Sequence, residues 1–221
     1  MTMMKWMTAI KPLSGKIQMM TEKKEAISLT DRSRGWSQPM LDLIADALLS
    51  LGLSPNAATV IGCLGNLVAA VLIALGYLTW GGLVAIFWVL FDALDGTMAR
   101  RSNSVSALGG FLDSTLDRMV EFFLFTALGW YFVQQGQPLG VLLTFITLSG
   151  CLITSYARAK AEAMQYTCKV GILTRMERFF IFIPCLVFQI PLIGIAILAL
   201  LSQITVLQRI ITVVKQAKQQ R

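Results

Sequence analysis

The sequence contains no histidine. That removes imidazole metal ligands, Ser-His-Asp chemistry and a histidine base, leaving Asp, Glu, Lys, Tyr or Cys for any general-base role. Charge is scarce as well. Only 14% of residues are charged, against about 25% in soluble domains, while 56% are hydrophobic. The four cysteines, Cys63, Cys151, Cys168 and Cys185, are far apart and show no paired spacing, which argues against a zinc site or a disulfide framework. Residues 1–35 hold no long apolar run behind their lysines and arginines, so they do not read as a signal peptide.

What the chain has in quantity is apolar sequence in long runs. They cover about 58–80, 81–99, 107–133, 139–157, 179–190 and 191–214, and about 20 residues suffice to span a bilayer. The expectation is an all-α integral membrane protein of six transmembrane helices. The last two spans meet at a tight turn over Pro191–Gly194, with Pro184 kinking the fifth; a single broken helix over 179–214 is the alternative. Ser54-Pro55-Asn56 caps the first span, with Thr59 one turn further on. Ahead of it, residues 36–50 put Leu41, Ile44, Ala45, Leu48 and Leu49 on one face and Asp42 and Asp46 on the other. That is an amphipathic helix lying at the interface. Residues 1–35 form a basic tail, either surface-lying or attracted to anionic lipid, residues 51–214 the membrane domain, and residues 215–221 a second basic tail.

Net charge is +7, and its placement is informative. The turns near 76–82, 134–140 and 190–194 carry no charged residue, whereas the others carry Arg100, Arg101, Arg158, Lys160, Lys169, Arg175 and Arg178. This is the positive-inside pattern, with both termini and the Asp-rich turn in the cytoplasm of a multi-pass cell-membrane protein. Basic groups set between apolar spans do not form a nucleic-acid surface.

The costly feature is acidic. Asp92, Asp95, Asp113 and Asp117 lie in apolar helical sequence, and each acid at a membrane-helix centre costs about 2.5–3.5 kcal/mol. Placement at the cytoplasmic end lowers that cost without removing it. Asp92 and Asp95 share one helical face, and Asp113 and Asp117 share a face on the next span. The two spans, joined by the basic turn at 101–106, form an antiparallel hairpin whose facing surfaces gather the four carboxylates. Hard carboxylate oxygens suit magnesium, manganese or calcium. Four of them suit two ions, as in phosphoryl displacement. Gly96 and Gly109 clear space for a pyrophosphate, and Arg100 offers a fork to phosphate oxygens. Buried ion pairs with Arg100, Arg101 or Arg118, or a proton path in a transporter, would also account for the acids.

The pattern Asp92-x2-Asp95-Gly96-x2-Ala99-Arg100-x8-Gly109-x3-Asp113-x3-Asp117 resembles the signature of the CDP-alcohol phosphotransferase family at all its fixed positions. The resemblance implies a homodimeric enzyme with two Mg2+ ions, or Mn2+, held by Asp92, Asp95, Asp113 and Asp117. Asp117 would also deprotonate the acceptor hydroxyl; a nearby cation lowers that hydroxyl's pKa, so a carboxylate base suffices. Gly96, Arg100 and Gly109 would lie against the cytidine diphosphate. Ser106 matches the family's hydroxyl residue six after the arginine, and Pro55-Asn56-x2-Thr59 its nucleotide-contacting stretch. The lipid phosphorus of CDP-diacylglycerol would be attacked and CMP released.

The acceptor is read from the basic residues. Arg158, Lys160, Arg175 and Arg178 suit an acceptor that carries a phosphate, although a positive-inside excess alone would also place them there. Ser155-Tyr156-Ala157-Arg158-Ala159-Lys160-Ala161-Glu162 and Leu112-Asp113-Ser114-Thr115-Leu116-Asp117-Arg118 are most similar to phosphatidylinositol-phosphate synthases and their archaeal relatives. The polyol phosphate implied is inositol 3-phosphate, ahead of the glycerol 3-phosphate used by phosphatidylglycerophosphate synthases. Outside this family, an intramembrane prenyltransferase or a transporter remains open. The first places two Asp motifs on well-separated helices, and the second needs a polar path that the apolar C-terminal spans do not offer.

Overall fold

The computed structural model describes residues 29–219, with side chains from residue 38 onward. The expected basic tail at 1–35 therefore falls mostly outside the described residues, as does the end of the tail at 215–221. Among the described residues all regular structure is helical. The helices are α1 (Leu29–Ser50), α2 (Pro55–Ala74), α3 (Leu78–Arg101), α4 (Ala107–Gln134), α5 (Pro138–Ala163), α6 (Arg175–Val187) and α7 (Pro191–Gln219). The chain divides into two compact units at Leu43 and Ile44, within α1. The first contributes the N-terminal part of α1, where the Gln38 amide donates to Asp42 at 3.1 Å. The second, from Ile44 onward, holds the acidic cluster and the cavity beside it.

Helices α2, α3, α5 and α7 are long and apolar enough to cross a membrane. α4 has the length, at 28 residues, but carries Asp113, Asp117, Arg118 and Glu121. α6 has 13 residues, about 20 Å of helix and short of a full span. Many large apolar side chains face outward, among them Trp80, Phe87, Phe145 and Leu200. With four such helices and large apolar side chains facing outward along them, this is a multi-pass membrane protein.

Local chemistry fixes the helix ends. Ser54 is the N-cap of α2, its hydroxyl accepting from Ala57 N at 3.2 Å, and Pro55 opens the helix where its missing N–H costs nothing. The first two spans part earlier than their hydropathy indicates, at residues 75–77, because Gly76 supplies a φ of +90°. The last turn also shifts. Pro191 and Gly194 lie inside the first turn of α7, and the chain reverses over 188–190 with Gln189 at φ +58°. Proline at the first helical position again explains the boundary.

The expected hairpin needs correction. α3 and α4 are antiparallel neighbours in sequence, yet they make no close backbone approach among the described residues; α2 packs against both. It does so through small residues. A Cβ on Gly65 would fall 2.0 Å from the Trp88 ring of α3, and one on Gly62 would lie 3.9 Å from Phe91 and 4.0 Å from Asp92 Oδ1. The remaining packing runs α4 on α5, α5 on α7, α7 on α6 and α6 on α3. The main core centres on Ile73, Leu124, Phe125, Leu128, Phe132, Leu186, Ile195 and Leu198. A smaller one joins Ala45, Leu48 and Leu49 of α1 to Ala58 and Met98. Three of the five residues predicted on the apolar face of α1 thus pack inward.

Candidate active site

Wedging two acid-bearing helices apart leaves a cleft, and Asp95 and Asp113 line it. Asp92, Asp95 and Asp113 each offer a carboxylate oxygen, and these oxygens all lie within 4.8 Å of one another. Such a spacing across two helices is repulsive unless positive charge sits among them. An all-oxygen set of this kind fits a divalent cation with ligands at about 2.0–2.6 Å. Asp95 is held from α2, where Thr59 Oγ1 donates to its Oδ2 at 2.6 Å, and from its own helix by Gly96 N–H. Thr59 is buried, so one rotamer of Asp95 is selected.

Beside the acids opens a cavity of about 360 Å3. Its lining includes Pro55, Asn56 and Thr59 from α2, Gly96 and Arg100 from α3, and Ser106 and Gly109 from the start of α4. These are the seven residues that the sequence assigns to the CDP-lipid, gathered from three segments, with Asp95 and Asp113 at the same wall. The local reasons differ. Ser106 caps α4, its hydroxyl accepting from Gly109 N at 3.0 Å. A Cβ on Gly109 would come within 3.2 Å of both Asn56 Oδ1 and Ser106 Oγ. Glycine there leaves room for the Asn56 amide, so its role is packing as much as access. Arg100 is exposed and steadied by Thr97 Oγ1 at 3.0 Å. Arg101 points away and forms a two-pronged pair with Asp46 of α1.

Asp117, one turn beyond Asp113, is 9% exposed and faces cations. Arg175 Nη1 lies 2.5 Å from its Oδ1, and Arg118 Nη1 lies 3.6 Å from its Oδ2. The same Arg175 nitrogen donates to Asp92 Oδ2 at 2.9 Å. One guanidinium from α6 therefore bridges carboxylates on α3 and α4. Its carbon lies 5.4 Å from the Phe179 ring centroid, near enough for a cation–π contact one turn along the helix.

The other basic residues do not gather with Arg175. Arg158 is exposed and pairs with Glu162 at 2.8 Å, an i,i+4 contact within α5, and Lys160 is exposed. Arg178 is buried, with Nε and Nη2 donating to Glu121 Oε1 at 2.8 and 2.5 Å. Glu121 was not anticipated from sequence, although Asp113, Asp117 and Glu121 recur every four residues on one stripe of α4. The Thr174-x2-Glu177 box that starts α6 was likewise legible: the Glu177 carboxylate accepts from Thr174 N.

A further missed set lies on α7, which laces the connection before α6 to itself. Thr205 Oγ1 accepts from Leu173 N at 3.2 Å, Gln208 Oε1 from Ile172 N at 3.1 Å, and Gln216 Oε1 from Thr167 N at 3.0 Å. Arg209, 7% exposed, donates to Val170 O at 3.0 Å and Thr154 O at 2.6 Å. These bonds fix the loop whose end carries Arg175.

Known proteins are similar to this chain in sequence and fold. The CDP-alcohol phosphatidyltransferase family matches residues 52–214. The archaetidylinositol phosphate synthase of Pyrococcus horikoshii is 38% identical over 175 residues, covering 77% of this chain and 88% of that protein. The phosphatidylinositol phosphate synthase of Cutibacterium acnes is 35% identical over 196 residues, covering 81% and 94%. A crystal structure of the Mycobacterium tuberculosis phosphatidylinositol phosphate synthase with CDP-DAG bound superposes with a TM-score of 0.75. Its identity is 34%, and it covers 79% of this chain and 94% of that one. A second structure of the same synthase, in complex with manganese and citrate, also gives 0.75 at 34% identity, covering 78% and 88%. With the aspartates clustered at the cavity wall and the match running through most of the membrane domain, the chain is an enzyme that belongs to the CDP-alcohol phosphatidyltransferase family.

Proposed function

We propose that the protein transfers a phosphatidyl group from CDP-diacylglycerol to a phosphorylated polyol, inositol 3-phosphate, giving phosphatidylinositol phosphate and CMP. The observation that carries the phosphorylated acceptor is the contact between Asp117 and Arg175. A carboxylate able to take a hydroxyl proton and a guanidinium able to hold a phosphate lie 2.5 Å apart, which suits two groups of one small molecule. The names of the relatives, and the CDP-DAG bound in one of their structures, support the same reading.

In this reading Pro55, Asn56, Thr59, Gly96, Arg100, Ser106 and Gly109 hold the cytidine diphosphate in the cavity. Asp92, Asp95 and Asp113, with Asp117 beside them, would hold two Mg2+ ions, or Mn2+, which would supply positive charge to the diphosphate. Asp117 accepts the acceptor's hydroxyl proton. The hydroxyl oxygen bonds to the lipid-bearing phosphorus, the bond from that phosphorus to the CMP oxygen breaks, and CMP departs with the electron pair. Arg175 seats the acceptor's phosphate, exposed Arg158 and Lys160 add positive charge on the approach, and Arg178, occupied by Glu121, serves the acceptor side by holding α6. α4 and the short α6 complete a six-helix membrane domain in which α6 crosses only part of the bilayer, residues 36–50 lie at the interface ahead of it, and the termini and active site are cytoplasmic. The working unit is a homodimer.

The test is CMP release by the purified protein from CDP-diacylglycerol and magnesium, with inositol 3-phosphate, glycerol 3-phosphate, inositol and serine offered separately. The expected result is turnover with inositol 3-phosphate at least about tenfold above the others. Faster turnover with glycerol 3-phosphate would reassign the acceptor, and background CMP throughout would end the phosphatidyl-transfer reading.

A further inference from the structure

α4 and α6 make no close backbone approach among the described residues, yet side chains bridge them in three successive rungs. Asp117 meets Arg175, Glu121 meets Arg178, and Phe125 meets Phe182 edge-on with ring centroids 5.0 Å apart. The rungs advance by four residues at a time on α4, and by three then four on α6. They are the contacts that set the height of one helix against the other.

The middle rung is the unusual one. Glu121 is 1% exposed and Arg178 4%. Arg178 also reaches Leu173 O at 3.4 Å, so the same guanidinium ties the residue that precedes the Thr174 cap. A buried ion pair contributes little net stability, because stripping water from both charges offsets their attraction, and an apolar pair of similar volume often serves as well. What an apolar pair lacks is direction. Two N–H groups converging on one carboxylate oxygen fix both the distance between the helices and their register.

We propose that Glu121 is a positioning residue for the acceptor side of the site. It holds Arg178, and through it the first turn of α6, at the height where Arg175 falls between Asp92 and Asp117. This rests on the reading of Arg175 as the acceptor-phosphate residue. Glu121 touches neither substrate and acts through the two arginines. Its loss therefore weakens one substrate selectively, because the CDP-lipid cavity is built from α2, α3 and the start of α4.

The experiment compares wild type with Glu121→Gln and Glu121→Met in lipid nanodiscs. It measures KM for inositol 3-phosphate and for CDP-diacylglycerol separately, together with amide hydrogen exchange. For Glu121→Met, acceptor KM rises about tenfold or more while CDP-diacylglycerol KM stays within about threefold. Glu121→Gln, which keeps a hydrogen-bonding oxygen, loses less. Exchange over 173–178 speeds up about tenfold while 92–100 is unchanged. Acceptor KM that moves less than about twofold, both KM values rising together, or unchanged exchange over 173–178 overturns the assignment. Should Glu121→Met not fold, the double variant Glu121→Met/Arg178→Met removes the unpaired buried charge and must show the same rise in exchange. A wild-type enzyme that released no CMP with any phosphorylated acceptor would sink the functional reading alone, since the exchange measurement still decides the role of Glu121.

Discussion

In the proposed reading, the two halves of the site, donor and acceptor, are built in different ways. On the donor side, α2, α3 and the start of α4 surround an open cavity with residues drawn from short, contiguous stretches, and backbone packing through glycine and alanine sets its shape. On the acceptor side, Arg175 and Arg178 of α6 are set in place by side-chain bonds: rungs to α4, and a row of contacts from α7 to the loop before α6. The first kind of site tolerates change outside its motif poorly only where helices touch. The second depends on polar residues that never meet a substrate. The difference teaches that the donor half is specified by what lines it and the acceptor half by what braces it.

The strongest way to break this contrast is at the acids the two halves share. Asp113→Asn removes one of three clustered carboxylates, and a bound cation is worth several kcal/mol of transition-state stabilisation. CMP release should fall on the order of 10^3-fold whichever acceptor is used, with weaker manganese binding by calorimetry. Arg175→Met comes next. A hydrogen bond to a charged group is worth about 1.5–3 kcal/mol, so kcat/KM for inositol 3-phosphate should drop roughly 10- to 100-fold. CDP-diacylglycerol binding, read separately, should change little. Gly109→Ala acts on the other half: its Cβ presses Asn56 Oδ1 and Ser106 Oγ at 3.2 Å. CDP-diacylglycerol KM should rise a few-fold, roughly the effect of 1 kcal/mol of crowding, with the acceptor KM unmoved. Glu162→Ala should do least. The Arg158–Glu162 pair has both side chains about half exposed, so thermal stability should change by no more than about 0.5 kcal/mol. A large loss there would mean that Arg158 depends on bracing as well, and would extend the acceptor-side rule to α5.

The same contrast explains what could be read in one dimension. The donor half was legible because its chemistry demands residue types at fixed helical spacing, and the cap at Ser54 and Pro55 is a local signal. All seven residues assigned to the CDP-lipid from sequence meet in one cavity. The acceptor half was legible only as charge. Nothing in the spacing of Arg178 announces Glu121, 57 residues away, and Glu121 itself reads as one more acid on a face already rich in them. The packing of α2 between α3 and α4 was missed for a related reason. Hydropathy gives the existence of each span and nothing about which pairs touch, and a short turn makes sequential helices look like neighbours. Small residues at 58, 62, 65 and 69 were the available clue, since they let backbones approach closely in a membrane. The turn at 188–190 was displaced by reading Pro191 as a breaker, when proline also starts helices.

Gly62 and Gly65 carry one last consequence. The face of α2 that meets Trp88, Phe91 and Asp92 of α3 has hydrogen at these positions where other residues have carbon. Asp92 and Asp95 ride on the helix so seated, and their oxygens come within 4.8 Å of that of Asp113. α2 is thus a gauge block for α3: the depth at which that helix presents its acids is machined into a helix that carries none of them.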